Sequence, residues 1–350
     1  MNLRELGWTA DRQAVWSEDD AMGRPARVCA QWRGAYDVWT ESGERRAILA
    51  GALRHSGASP PVVGDWVVVD LGGDGPARIL EVLPRRTVLR RRAAGRRTEA
   101  QLVAANLDTV FVVTAFDGDV SLRRLDRYIT AVWDSGAIPV VVLNKSDLEE
   151  DVETVRLRIE DRSPGVSAHA VSAATGDGLS ELEAYLRPGR TVAMIGSSGV
   201  GKTTLLARLA GLDLLTQRLG IDGRGQHTTT NRQMHRLPGD ALLIDTPGMR
   251  ELGLWDADEG LDAAFADIDV LAEGCRFRDC EHEGEPGCAI RAALDSGALE
   301  ADRLGSYHKL QRELRHDAAR YADGLALSQA RKERRAFARS CRARMKAKGR

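Results

Sequence analysis

Gly196-Ser197-Ser198-Gly199-Val200-Gly201-Lys202-Thr203 decides how the rest of this chain is read. The apolar run TVAMI leads into it, and the helix-forming TLLARLAG, beginning at Thr204, leads out. Glycines at this spacing let backbone N–H groups turn inward around phosphate oxygens, and a following helix N-terminus adds a favourable dipole. In such a loop the Lys202 ammonium neutralises the β- and γ-phosphates, and the Thr203 hydroxyl is a ligand for Mg²⁺. Strand, loop and helix in that order predict an α/β fold on a parallel sheet.

Working towards the N-terminus, TVFVVTAF and PVVVLN read as buried strands, as does ALLIDT downstream. They alternate with helical stretches such as LRRLDRYITAVWDSG and LSELEAYL, which places helices on both sheet faces. Asn144-Lys145-Ser146-Asp147 closes PVVVLN at the strand end where open α/β sheets bind ligands. An ionised carboxylate only accepts hydrogen bonds. Asp147 can therefore take the ring N–H and amino group of guanine, whereas adenine presents a lone pair at the matching ring nitrogen. A buried acceptor left unpaired by the wrong base discriminates strongly. Lys145 can pack its stem along the base, Asn144 can brace neighbouring loops, and Ser146 is the free position of the motif. Val171-Ser172-Ala173-Ala174 ends another short strand, and its Ser172–Ala173 turn can offer backbone N–H to the guanine carbonyl. The base-reading elements thus stand ahead of the phosphate loop, the reverse of the usual order.

Asp245-Thr-Pro-Gly248 follows ALLI. Asp245 would hold Mg²⁺ through water, and the Gly248 amide would sense a γ-phosphate. Between this motif and the phosphate loop lies Gly223-Arg-Gly-Gln-His-Thr-Thr-Thr230. Thr228 or Thr229 there can place a hydroxyl on Mg²⁺, and the glycines suit a switch that orders around triphosphate. The next residue after Gly248 is Met249, which cannot orient an attacking water as glutamine does. Intrinsic hydrolysis should then be slow, or another polar group must act. His227 is the candidate, with a surface histidine contacting RNA or solvent as the plainer alternative.

Cys275-x4-Cys280-x-His282-x5-Cys288 supplies three thiolates and one imidazole, a full tetrahedral set for a structural Zn²⁺. Cys29 and Cys341 lie outside it, and no export signal favours disulfides.

At 350 residues the chain exceeds one comfortable core, and two or three domains are expected. No apolar run is long enough to span a membrane and no secretory signal opens the chain, so a cytoplasmic protein without a membrane partner is expected. The first hundred residues read as short strands (ARVCAQWRGAYDVWT, RRAILAGAL, DWVVVDL, ARILEVL) of a small barrel such as an OB-fold. Trp32, Tyr36, Trp39 and Trp66 could stack on nucleic acid there but fit a barrel core better. The net charge of −1 hides a basic terminus, residues 331–350, with ten Lys or Arg against one acid. A second basic cluster runs from Arg85 to Arg97. Both suit RNA phosphates.

Taken together, the NKSD, VSAATGDG, GSSGVGKTT, GRGQHTTT and DTPG segments in this order, the Cys/His spacing and VVGDWV (62–67) resemble the ribosome small-subunit-dependent GTPase A family. The resemblance covers nearly the whole chain. It implies an OB-fold barrel (1–100), a circularly permuted α/β P-loop GTPase domain (101–262) and an α-helical zinc-binding domain with a basic tail (263–350). It also implies a monomer that binds GTP and GDP, acts late in small-subunit assembly, touches its rRNA, and is stimulated by the subunit. Two features depart from the family core: the acidic hairpin LGGDGPA and the strongly Arg-rich terminus. A signalling GTPase leaves the basic ends and cysteine cluster unexplained. An ATPase conflicts with NKSD, and a vestigial nucleotide site would not keep every guanine and Mg²⁺ position.

Overall fold

The structure is a computed structural model that describes residues 1–16, 23–57, 59–73, 75–92, 100–118, 120–211, 232–245, 258–282 and 284–316. After a short helix α1 (Ala10–Val15), strands β1 (Arg24–Trp32), β2 (Ala35–Thr40) and β3 (Gly43–Leu49) form a meander. RRAILAGAL stops being a strand at Leu49, and its end turns into helix α2 (Gly51–His55). Strands β4 (Trp66–Asp70) and β5 (Ala77–Val82) follow. β3 runs parallel to β5, and β4 pairs with both β5 and β1, so the five strands close on themselves. That is the OB-fold barrel, filled by inward residues such as Val28, Val38, Val67 and Ile79. Tyr36, Trp39 and Trp66 are buried, whereas Trp32 stays partly exposed beneath the Arg46 guanidinium.

Strands β6 (Val88–Arg92) and β7 (Ala100–Ala105) form a separate hairpin that pairs across residue 100. Next come β8 (Thr109–Ala115), helix α3 (Leu122–Asp134), β9 (Ile138–Asn144), helix α4 (Val152–Arg162) and β10 (Ser167–Ala170). β11 (Thr191–Ile195), helix α5 (Lys202–Leu209), β12 (Gln233–Arg236) and β13 (Leu242–Asp245) complete the sheet. The strand order is β10-β9-β8-β11-β13-β12, parallel except for β12. LSELEAYL forms 3-10 turns over Leu179–Tyr185 rather than an α-helix. Only Leu182 is buried there, too little apolar surface to hold a longer amphipathic helix.

β12 also pairs with barrel strand β1 through Ala30 and Gln233, so sheet and barrel are hydrogen-bonded into one structure. Beside that seam the buried Arg27 guanidinium donates to the carbonyl oxygens of Leu6, Gly64 and Asn106 and to Thr191 Oγ1. Four separate parts of the chain meet on one side chain. Gly64 belongs to VVGDWV and sits at φ +94°, where a Cβ would press into the carbonyl oxygen of Ala105. Gly64→Ala should therefore cost at least about 2 kcal/mol, from left-handed backbone plus the clash. The denaturation midpoint measures this; a variant as stable as the parent would refute the close approach.

The helical end comprises α6 (Asp258–Ala264), α7 (Ala266–Ala272), α8 (Ala289–Ser296) and α9 (residues 301–316). Phe265, Ile268, Ile290 and Leu304 supply its core. It docks on α3 and α4 through Asp126, 1% exposed, which accepts from Arg162 Nη2 at 2.8 Å and Arg303 Nη1 at 2.7 Å. Arg303 continues to Asp267 at 2.8 Å and stacks over Phe265. No helix among the described residues is long and apolar enough to cross a membrane.

Candidate functional site

β8, β9, β10, β11 and β13 all point their C-terminal ends at one edge of the sheet, and the motifs sit there. The phosphate loop follows β11, with Gly196 buried and Ser198 and Gly199 exposed. Lys202 opens α5, and its ammonium turns back over the loop to donate to the carbonyl oxygens of Gly196 (2.8 Å) and Ser197. Thr203 is exposed and Thr204 half-buried on the first turn of α5. In-register pairing places Asp245, the last residue of β13, beside Met194 near the same edge.

Asn144 joins the two halves of the site. Its Nδ2 donates to Val200 O in the phosphate loop at 2.7 Å, and its Oδ1 accepts from Ala173 N at 3.0 Å. Gly201, at φ +91°, leaves room for this amide; a Cβ there would collide with Asn144 Nδ2. Lys145 adopts left-handed backbone (φ 61°) and pairs with Asp117 just beyond β8. Ser146 N donates to Val171 O at 3.1 Å, and Ser172 Oγ donates to Asp147 Oδ1 at 2.5 Å. The NKSD and Ser-Ala segments, widely separated in sequence, therefore form one unit against the phosphate loop.

Three contacts were not read from the sequence. Arg208 on α5 donates to the carbonyl oxygens of Ala173 and Ala174 at 3.0 and 2.6 Å, tying the phosphate-loop helix to the Ser-Ala turn. Arg124 on α3 donates to Ser197 Oγ at 2.8 Å, and Asp117 orients Lys145. Only Asp117 had a signal, being the acid just after a buried strand. His227, Thr228, Thr229, Gly248 and Met249 lie outside the described residues.

Cys275, Cys280, His282 and Cys288 converge, each offering a ligand atom within 4.8 Å of the others. His282 Nδ1 lies 3.6 Å from the sulfurs of both Cys275 and Cys288. Backbone N–H groups of Ala289 and Arg291 point at Cys275 and Cys288 sulfurs at 3.3 and 3.4 Å. Tetrahedral binding at usual metal–sulfur lengths of about 2.3 Å separates ligands by just under about 4 Å, so a set spread to at most 4.8 Å has only a little closing to do around an ion. The four residues fit a metal ion.

Of the basic cluster starting at Arg85, Arg85 itself turns inward. It grips the buried Asp65 through Nε at 2.8 Å and Nη2 at 2.7 Å, so it is no RNA contact. Arg91 bonds Gln101 at 3.0 Å, and residues 93–99 and 331–350 lie outside the described part.

A P-loop on a parallel sheet, with its base-reading strands placed earlier in the chain, defines a circularly permuted GTPase with an OB-fold barrel and a cysteine-bearing helical end. A family model for the RsgA GTPase matches residues 82–255. The Small ribosomal subunit biogenesis GTPase RsgA 2 of Lactiplantibacillus plantarum is 45% identical over 319 residues, covering 90% of each chain. The Streptomyces coelicolor protein named Small ribosomal subunit biogenesis GTPase RsgA is 43% identical, covering 95% of this chain and 91% of its own. This chain belongs to the RsgA GTPase family and is a GTP hydrolase. The crystal structure of YjeQ from Thermotoga maritima superimposes with a TM-score of 0.63 at 26% identity, covering 84% of this chain and 99% of that one. YloQ, described as a circularly permuted GTPase, shares the fold with a TM-score of 0.63 at 24% identity, covering 86% and 98%.

Proposed function

We propose that this chain hydrolyses GTP during late maturation of the small ribosomal subunit, and that the subunit stimulates its turnover. The bridge made by Asn144 between phosphate loop and Ser-Ala turn carries the nucleotide half of this reading. Relatives named for small-subunit biogenesis, at over 40% identity across most of the chain, support the other half.

Asp147 takes the guanine N–H donors, the Ser172–Ala173 backbone meets its carbonyl, and Lys202 with the loop amides of residues 196–201 holds the phosphates. Thr203 and, through water, Asp245 hold Mg²⁺, joined by Thr228 or Thr229 from the switch segment. Bound Mg²⁺ supplies neutralisation of the charge developing on the phosphates. Gly248 senses the γ-phosphate and His227 positions the attacking water, because Met249 cannot. One Zn²⁺ per chain at the Cys275/Cys280/His282/Cys288 set is structural, since four protein ligands leave no position for water.

The chain divides at about residues 100 and 262 into barrel, GTPase and zinc-binding parts, and works as a cytoplasmic monomer with no membrane partner. Its rRNA contacts come from the barrel, the helical end, the basic tail and the part of the 85–97 cluster beyond Arg85. GTP turnover with and without purified small subunits tests this. Stimulation on the order of tenfold or more is expected, falling at high salt. Equal rates at every salt concentration would remove the ribosomal half and leave the GTPase standing.

A further inference from the structure

At the end of β11 opposite the phosphate loop, a cleft of about 580 Å³ opens between the N-terminal segment, the barrel and the starts of the sheet strands. Five arginines and two aspartates line it. Two of the arginines, Arg12 and Arg27, are only 7% and 1% exposed. Their partners among the described residues are all neutral. Arg12 donates to Asn106 Oδ1 at 2.6 Å and to Pro84 O at 3.3 Å, while Arg27 reaches only carbonyls and the Thr191 hydroxyl.

Apart from Asp11, exposed on the cleft wall, the nearby acids are engaged elsewhere. Asp65 is clamped by Arg85, and Asp108 accepts from Arg190 and from Thr191 N. Burial consequently pulls Arg12 down to about 10 and Arg27 to about 9, the two charges also repelling each other or a neighbouring arginine. Both guanidiniums lie near the Trp66 ring, at 6.0 and 5.3 Å from its centroid, which offsets only part of that cost.

Donors are also left over. Trp66 is wholly buried, yet among the described residues its indole N–H has no acceptor, and the Thr9 hydroxyl is likewise unpartnered. Both residues line the cleft, and Arg86 stands exposed at its mouth with no ion pair among the described residues. Buried polar groups are nearly always paired, and buried charges nearly always compensated. A wall of surplus donors around surplus positive charge calls for a ligand that is negative and accepts only.

We propose that this cleft is a second ligand site, distinct from the nucleotide site, that binds a small phosphate-bearing anion such as a pyrophosphate or phosphomonoester. Phosphate oxygens match guanidinium donors in charge and geometry. The five residues of β11 set this site roughly 16 Å from the phosphate loop, so a ligand here does not compete with GTP.

The test uses the full chain saturated with GDP and Mg²⁺, titrated with pyrophosphate and, separately, inorganic phosphate, by calorimetry and tryptophan fluorescence. One pyrophosphate per chain is expected. Arg86→Glu should weaken it by about tenfold or more, and Trp66→Phe, which removes the N–H together with part of the ring, by about threefold to tenfold. GDP affinity should stay the same in both variants. Neither anion binding to the GDP-loaded chain would overturn the proposal, as would pyrophosphate binding that ignores Arg86→Glu. Arg86-dependent binding of a single-stranded RNA with pyrophosphate silent would also overturn it, assigning this face to nucleic acid.

Discussion

Asp147→Asn should lower GTP affinity by about a thousandfold and let xanthosine triphosphate bind in its place. On the proposed reading, the carboxylate accepts from both the ring N–H and the amino group of guanine. An amide keeps one acceptor but turns its other atom into a donor, which faces the guanine amino group and repels it. Xanthine carries a carbonyl at that position, so the same donor becomes a partner. Asp147 is already oriented by Ser172 Oγ at 2.5 Å, and the loop that carries it is held by Asn144. The loss should thus reflect base recognition rather than collapse of the loop. Calorimetry with GTP, ATP and xanthosine triphosphate reads it directly; an unchanged order of preference would mean the base is read elsewhere.

Removing the metal from the cysteine cluster should unfold the helical end while leaving nucleotide binding in place. Structural zinc sites contribute on the order of 10 kcal/mol to the folding of their modules. The loop between α7 and α8 has little core of its own: Phe277 is exposed, and among the four ligands only Cys288 is buried. Cys280→Ser or a strong chelator should therefore remove the bound metal, one zinc per chain on the proposed assignment, measured by mass spectrometry, and reduce helical circular dichroism. Small-subunit affinity should fall with it by about a hundredfold, whereas GDP affinity should change little. A chain that loses its metal and keeps both its helix signal and its subunit affinity would show that the cluster is dispensable.

Both experiments concern groups that could be picked out from sequence because they announce themselves by spacing. A phosphate loop, a guanine motif and a Cys/His set each concentrate unusual residues over short distances, and the chemistry restricts which types can stand there. The barrel was legible for another reason, its short strands punctuated by turn residues. What escaped were long-range contacts made by ordinary residues. β12 (QMHR) carries no strand signature and forms because β13 and β1 offer it edges on both sides. Arg208 looks like any solvated arginine on a helix, and nothing in TLLARLAG announces the Ser-Ala turn it holds. Arg85 shows the converse. Charge density placed it on an RNA-binding face, while one buried carboxylate twenty residues away in sequence claims it.

The Arg27 hub bears on the order in which the chain is assembled. Its acceptors range from Leu6 to Thr191, the latter 164 residues away, and β1 waits for β12 further still. Closing such long loops is entropically costly and slow. The barrel and the β8–β9–β10 half of the sheet can form as the polypeptide leaves its own ribosome. Leu6, Gly64 and Asn106 can then already accept from the guanidinium, but its Thr191 acceptor is missing until β11 has been made. Completing the seam between barrel and sheet is then a late folding event, and a nascent chain halted before Thr191 should carry two native pieces tied through residues 104–106 but without the β1–β12 pairing.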